Sequence, residues 1–189
     1  MPLILASASS RRQELLRNAG VEFEVRPSSI SEEPYFNETA EAFVRRMAAA
    51  KALEVAVGWP AGTLVLGADT TVVVDGEILN KPADPEDAAR MLRRLSGRSH
   101  RVLTGVCLVK APGTVEAQDV SDTRVWFRPL DEAEIRDYVA SGEPLDKAGA
   151  YGIQGRASRF VTRIEGCYFN VVGLPLALVT ALLEPLGAD

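Results

Sequence analysis

Histidine occurs once in the 189-residue chain, cysteine twice, and aromatic residues make up only 6%. A single histidine, His100, excludes His-based zinc sites, and it excludes a Ser-His-Asp triad unless that residue serves. It falls in the strand-like run His100–Val109 and is read as structural. Cys107 and Cys167 form no CxxC and no Cys/His cluster, so they are read as reduced thiols rather than as a disulfide framework. Apolar runs are short as well. A spanning helix takes about 20 apolar residues, and the best candidate, Val171–Leu183, is shorter and contains Pro175. Met1–Ala8 lacks the basic start and long apolar stretch of a signal peptide, which gives a cytoplasmic expectation with no membrane partner.

Basic residues are outnumbered, 21 Lys and Arg against 26 Asp and Glu, for a formal net charge of -5. A protein that wraps a nucleic-acid backbone is usually basic, so this balance argues against nucleic acid as partner. A small polyanion needs only a few local cations and stays open. There is no Walker A motif and no GxGxxG, and Gly149-x-x-Gly152-x-x-Gly155 has the wrong spacing for a dinucleotide loop. What remains is a globular composition, 47% hydrophobic and 25% charged, on a length that suits one domain with its own core.

Patterning gives an α/β chain with a mixed sheet. Leu3–Ala6 reads as a buried strand, followed by a serine-rich turn and a helix with a capping box at Ser10 and Gln13, stopped at Gly20. Val21–Arg26 alternates as a strand, Ser28–Asn37 is a polar loop, and Thr39 caps a helix running to about Val57. Thr63–Ala68 is an apolar strand ending at Asp69. Thr71–Val74 and Glu77–Leu79 flank Asp75-Gly76, a hairpin signal. Asp84-Pro85-Glu86-Asp87 opens a helix that stops near Gly97. His100–Lys110 and Val115–Phe127 are long strands, and Asp131-x-x-Glu134 opens a helix stopped by Gly142. After the glycine-rich loop Glu143–Arg156 come two short strands, Phe160–Ile164 and Cys167–Val172, and a closing helix, Leu174–Leu186.

Local rules break at three places, and such conflicts mark candidate sites. Arg11 and Arg12 stand at a helix N-terminus, which already carries positive partial charge. With Ser7, Ser9 and Ser10 they form either a phosphate cradle or a solvent-facing pair beside capping serines. Lys51 lies on the apolar stripe of Val44, Met47, Ala48 and Val55. Read alone it fits snorkelling at the stripe edge; a buried lysine there needs a partner. Asp69 closes an apolar strand, where ligand sites of α/β sheets gather. Lys81 and Glu32-Glu33 read alone as solvated loop charges, and Gln154 sits in a loop that permits close backbone approach. Together the cations and acids suit a polyphosphate with a hard divalent ion.

These residues carry a resemblance. Leu5-Ala6-Ser7-Ala8-Ser9-Ser10-Arg11-Arg12-Gln13-Glu14-Leu15-Leu16, Gly67-Ala68-Asp69-Thr70, Leu79-Asn80-Lys81-Pro82, Ser96-Gly97, Asp146–Gly155 and Val171–Pro175 resemble, in order, the blocks of the Maf family of nucleoside triphosphate pyrophosphatases. The resemblance implies a Maf/inosine-triphosphatase-like α/β fold: an elongated mixed β-sheet flanked by helices, one domain over 1–189, with a cleft between two lobes. It implies hydrolysis of a nucleoside triphosphate to monophosphate and pyrophosphate with Mg²⁺ or Mn²⁺, by a homodimer. It assigns Asp69 as the catalytic carboxylate and Glu32 with Asp69 to the metal. Ser7, Arg11, Arg12, Lys51 and Lys81 go to phosphate, and Arg12, Thr70 and Gln154 to base choice. The loop Ala148–Gly155 is similar to the subfamily acting on dTTP and UTP; the alternatives are the sister activity on 7-methyl-GTP and a non-catalytic regulator binding a cell-division partner. Two departures stand out: Ser10, where many relatives have proline, and Ile30-Ser31-Glu32-Glu33, whose register makes Glu32 the match and Glu33 a substitute.

Overall fold

A computed structural model describes residues 3–187. The order is β1 (Leu3–Leu5), α1 (Ser10–Asn18), β2 (Phe23–Val25), α2 (Ala40–Ala56), β3 (Leu64–Val74), β4 (Glu77–Leu79), α3 (Pro85–Leu95), β5 (Ser99–Lys110), β6 (Thr114–Phe127), α4 (Glu132–Ala140), β7 (Val161–Glu165), α5 (Tyr168–Val172) and α6 (Leu176–Leu183). Short 3-10 turns stand at Glu143–Asp146, Ala148–Ala150, Arg156–Phe160 and Glu184–Leu186. Among the described residues one seven-stranded sheet runs β2-β1-β3-β5-β6-β7, with β4 paired to β3. β1 is parallel to β2 and β3, whereas β3/β4 and β6/β7 are antiparallel, so the sheet is mixed as the patterning implied. No described helix is long and apolar enough to cross a membrane.

The chain divides into two compact units, Met1–Thr70 with Thr104–Ser121 and Gly173–Asp189, and Thr71–Leu103 with Asp122–Val172. In the first, α2 turns Ala48, Ala52 and Ala56 onto a core with Ile4, Val65, Cys107 and Val109. Alanines four apart make a flat face, and two glycines let it close up. A Cβ on Gly67 would stand 2.1 Å from the Ala48 carbonyl oxygen, and one on Gly105 2.2 Å from that of Val44. In the second unit an aromatic cluster forms the core. Phe127 meets His100 and Tyr151 edge-on at 4.9 and 4.8 Å, and Tyr138 meets Phe160 at 5.3 Å.

Most boundaries follow the local signals. Thr39, Asp84 and Asp131 cap α2, α3 and α4, the last with its capping box. Asp75 (φ 51) and Gly76 (φ 80) make the β3/β4 turn, where both central residues take positive φ. Four expectations change. Ser9, not Ser10, caps α1, accepting from the Arg12 N–H. Of two adjacent serines, the one whose side chain reaches the third N–H wins. β3 does not end at Asp69 but runs on to Val74, which places Asp69 in mid-strand. Cys167–Val172 is not a strand: Tyr168–Val172 is the helix α5, because a short apolar run reads equally as either. The closing helix begins at Leu176, with Pro175 as its cap, and tightens into a 3-10 turn after Leu183.

Candidate active site

Two bonded groups assemble in the first unit. The first is centred on Arg12. The chain leaves β1 with Ala6 N–H donating to the Leu66 carbonyl at 2.8 Å, then turns into α1. Arg12 points inward from the first turn of α1 and is buried. Its Nε donates to the Gly173 carbonyl at 2.8 Å, Nη1 to Ser7 Oγ at 3.1 Å and the Ala68 carbonyl at 2.8 Å, and Nη2 to Thr70 Oγ1 at 3.0 Å. Thr70 Oγ1 also lies 2.9 Å from Thr104 Oγ1. Four of the five N–H donors of a guanidinium are thus committed to the protein. Burial pushes the Arg12 pKa down while the Asp69 and Glu32 carboxylates oppose it; a guanidinium stays charged under such opposition.

The second group is centred on Lys51. It is 6% exposed, and its Nζ stands 2.7 Å from Asp69 Oδ1 and 2.6 Å from Glu32 Oε1. The lysine is therefore not snorkelling: it has the partners that burial demands. Asp69 is also 6% exposed. Burial raises its pKa, with Lys51 and Arg12 pulling the other way and Glu32 adding to the rise. The close seat of α2 on Gly67 puts the Lys51 stem beside the strand that carries Asp69. A buried carboxylate with an elevated pKa, held by a lysine and next to a second carboxylate, suits proton abstraction from water or a share in a hard cation.

Glu32 and Asp69 each bring a carboxylate oxygen to Lys51 Nζ. Among the described residues no group of three or more His, Cys, Asp or Glu converges on a metal position. Two carboxylates fit a divalent ion that takes its remaining ligands from water and phosphate oxygens, as Mg²⁺ does. Arg11 is half-buried on the first turn of α1.

Lys81 and Gln154 belong to the second unit, and both are exposed. Lys81 follows Asn80, whose Oδ1 accepts from Thr71 Oγ1 at 2.7 Å and whose carbonyl accepts from Gly149 N–H at 3.2 Å. The segment leading to Gln154 is pinned around Glu143. Tyr138 Oη donates to Glu143 Oε1 at 2.9 Å and accepts from Gly152 N–H at 3.1 Å. Arg156 N–H reaches both Glu143 oxygens at 3.1 Å. Sequence reasoning missed Tyr138, Glu143 and Thr104, since nothing local distinguishes them from an ordinary helix tyrosine, a loop acid and a strand threonine. His100 is structural as expected: its Nε2 lies 2.7 Å from Tyr151 Oη, and burial pushes its pKa down to about 3. Cys107 is buried and Cys167 half-buried, both free.

The model of the family described as Maf-like protein matches residues 2–186. A dTTP/UTP pyrophosphatase of Koribacter versatilis is 51% identical over 99% of this chain and 95% of its own length. One of Moorella thermoacetica is 54% identical over 99% of this chain and 96% of its own. Among solved structures, a HAM1 protein from Coxiella burnetii superposes with a TM-score of 0.53 at 17% identity, covering 97% of this chain and 99% of that one, a likeness of fold.

Proposed function

The chain belongs to the Maf family, and from that premise we propose that it hydrolyses dTTP and UTP to the monophosphate and pyrophosphate. The observation that carries the reading is the buried Lys51–Asp69 pair with Glu32 closing on Lys51 from the exposed side, on a chain about half identical to pyrophosphatases of that specificity. Asp69 takes the proton of the attacking water, its raised pKa matching it to that task. The water oxygen bonds the α-phosphorus and pyrophosphate departs. Lys51, Arg11 and Lys81 offset charge on the phosphates, where positioning and charge stabilisation supply most of the rate. Ser7 is held by Arg12 and offers a hydroxyl at the turn. A divalent ion, Mg²⁺ or Mn²⁺, held by Glu32 and Asp69, would lower the pKa of bound water and neutralise phosphate charge.

Arg12, with most of its donors spent on the protein, serves base choice by fixing Thr70 rather than by gripping phosphate. Gln154 has an amide donor and acceptor to match O4 and N3–H, which thymine and uracil share. The reading places the enzyme in the cytoplasm as a homodimer acting on a free nucleotide. The two free thiols support a reducing compartment.

The test is pyrophosphate release from a panel of nucleoside triphosphates with Mg²⁺ or Mn²⁺, scored separately from phosphate. Release from dTTP and UTP well above the purines is expected. Release mainly from 7-methyl-GTP would overturn the base assignment. No release by the folded protein would sink the enzymatic reading.

A further inference from the structure

The segment between β2 and α2 carries Glu32, and α2 grips it at three points. Near its start, Ser29 donates through N–H and Oγ to Glu54 Oε2 and Oε1 at 2.9 and 2.6 Å. In the middle, Lys51 meets Glu32 at 2.6 Å. Near its end stands Arg46. Its Nε and Nη2 take the two Glu38 oxygens, each at 2.7 Å, and Nη2 also donates to the Glu33 carbonyl at 3.0 Å. The same guanidinium lies 3.8 Å from the centroid of the Tyr35 ring, and Tyr35 N–H donates to Glu38 Oε2 at 2.9 Å. This bidentate pair has a Glu38 side chain only 9% exposed, unlike a surface ion pair of small worth.

The Glu33 carbonyl is the point that matters, since it is one peptide from Glu32. A carboxylate on a polar segment has many rotamers and a mobile backbone to restrain before it can hold an ion. Here the backbone is fixed on both sides by groups of α2, the helix that also supplies Lys51. Held in this way, the Glu32 carboxylate is kept on Lys51, the lysine that also holds Asp69. We propose that Arg46, with Glu38, is a positioning residue that sets the backbone of the 29–38 segment so that Glu32 holds the divalent ion. The proposal rests on the reading of Glu32 as a metal-holding carboxylate.

The test uses the full chain with Arg46→Ala, Arg46→Lys and Glu38→Gln, and with Glu32→Gln as reference. Three quantities are read: amide hydrogen exchange of residues 29–38 without metal, Mn²⁺ binding to nucleotide-free protein by EPR, and the Mg²⁺ dependence of dTTP turnover. Arg46→Ala should speed exchange in the segment and leave that of β3 unchanged. It should raise the Mn²⁺ dissociation constant and the half-saturating Mg²⁺ by ~10-fold or more, the usual cost of losing an outer partner of a metal ligand. Turnover at saturating Mg²⁺ should largely recover. Arg46→Lys should fall between, because an ammonium keeps the charge but not the fork. Glu38→Gln should move in the same direction and keeps the test open if Arg46→Ala does not fold. If Glu32→Gln shifts metal binding and the Arg46 and Glu38 variants do not, the positioning role is overturned while the Glu32 reading stands. If Glu32→Gln leaves metal binding unchanged, it is the Glu32 reading that fails, and the positioning role with it.

Discussion

Asp69 does two things at residue scale that pull against each other. Its pKa is raised by burial, so the folded chain binds its proton more tightly than the unfolded chain. Stability from this group therefore falls as pH rises between the unfolded and folded values, and above them the ionised form is a cost. Asp69→Asn should lose about 10²–10⁴-fold in turnover, the range of a general base, while its melting temperature stays at or above that of the parent. A variant with most activity intact would remove Asp69 from the chemistry. Lys51 works in the opposite sense, since it pulls the Asp69 pKa down. Lys51→Met should move the acid limb of the pH–rate profile to higher pH as well as slow turnover, and an unmoved limb would show that the profile reports another group. Lys51 was visible in the sequence as a charge on an apolar stripe. Its partners were not, because Asp69 lies 18 residues away on another element and only the packing of helix on sheet brings them together. Ser7, Arg12 and Thr70 were likewise legible as types, yet their mutual bonds depend on the Gly173 and Ala68 carbonyls, which no side-chain motif announces.

At the scale of elements, α2 decides the site. It is seated by Gly67 and Gly105, where a methyl group would meet helix backbone. Gly67→Ala should cost ~1–3 kcal/mol or more as an overpacked contact, seen as a lower denaturant midpoint. It should also reduce turnover, since the helix that is pushed away carries Lys51. Wild-type turnover in Gly67→Ala would separate the seat from the chemistry. The second unit has its own fastening. Glu143→Ala would leave Tyr138 Oη and the Arg156 N–H without their acceptor, a loss of about 1.5–3 kcal/mol for bonds to a charged group. The preference for pyrimidine over purine triphosphates should fall with it, measured as relative kcat/KM, if Gln154 reads the base. The caps of α2, α3 and α4 and the Asp75-Gly76 turn were readable because each is set by residues within a few positions of itself. β3 was cut short in the reading because Asp69, Thr70 and Thr71 interrupt its apolar run, although the backbone does not break there. α5 was misread for the complementary reason, as its five residues are too few for a period to show.

Across the whole molecule, charge is the quantity to follow. A chain of net charge -5 repels a triphosphate at long range and must hold it by a few cations close by. Salt screens both effects, but contact pairs outside the buried group should dominate. The KM for dTTP should therefore rise with added KCl while kcat changes little. A KM that falls with salt would mean that long-range repulsion governs capture. The fold class was legible from the alternation of elements, and the chemistry from the kinds of residue that broke local rules. The division into two units carries no mark in the sequence. Its boundaries fall inside β3, β5 and β6, where no linker composition marks them.

The buried His100 has one more consequence. Burial pushes its imidazole pKa down to about 3, so it is neutral near physiological pH, and the chain has no other histidine. The side chain that most often confers sensitivity near neutrality is silent here, so an inflection between pH 5 and 8 does not come from histidine. Reagents that acylate imidazole should leave His100 of the folded enzyme unmodified, and histidine NMR should give one ring whose shifts stay flat across that whole interval.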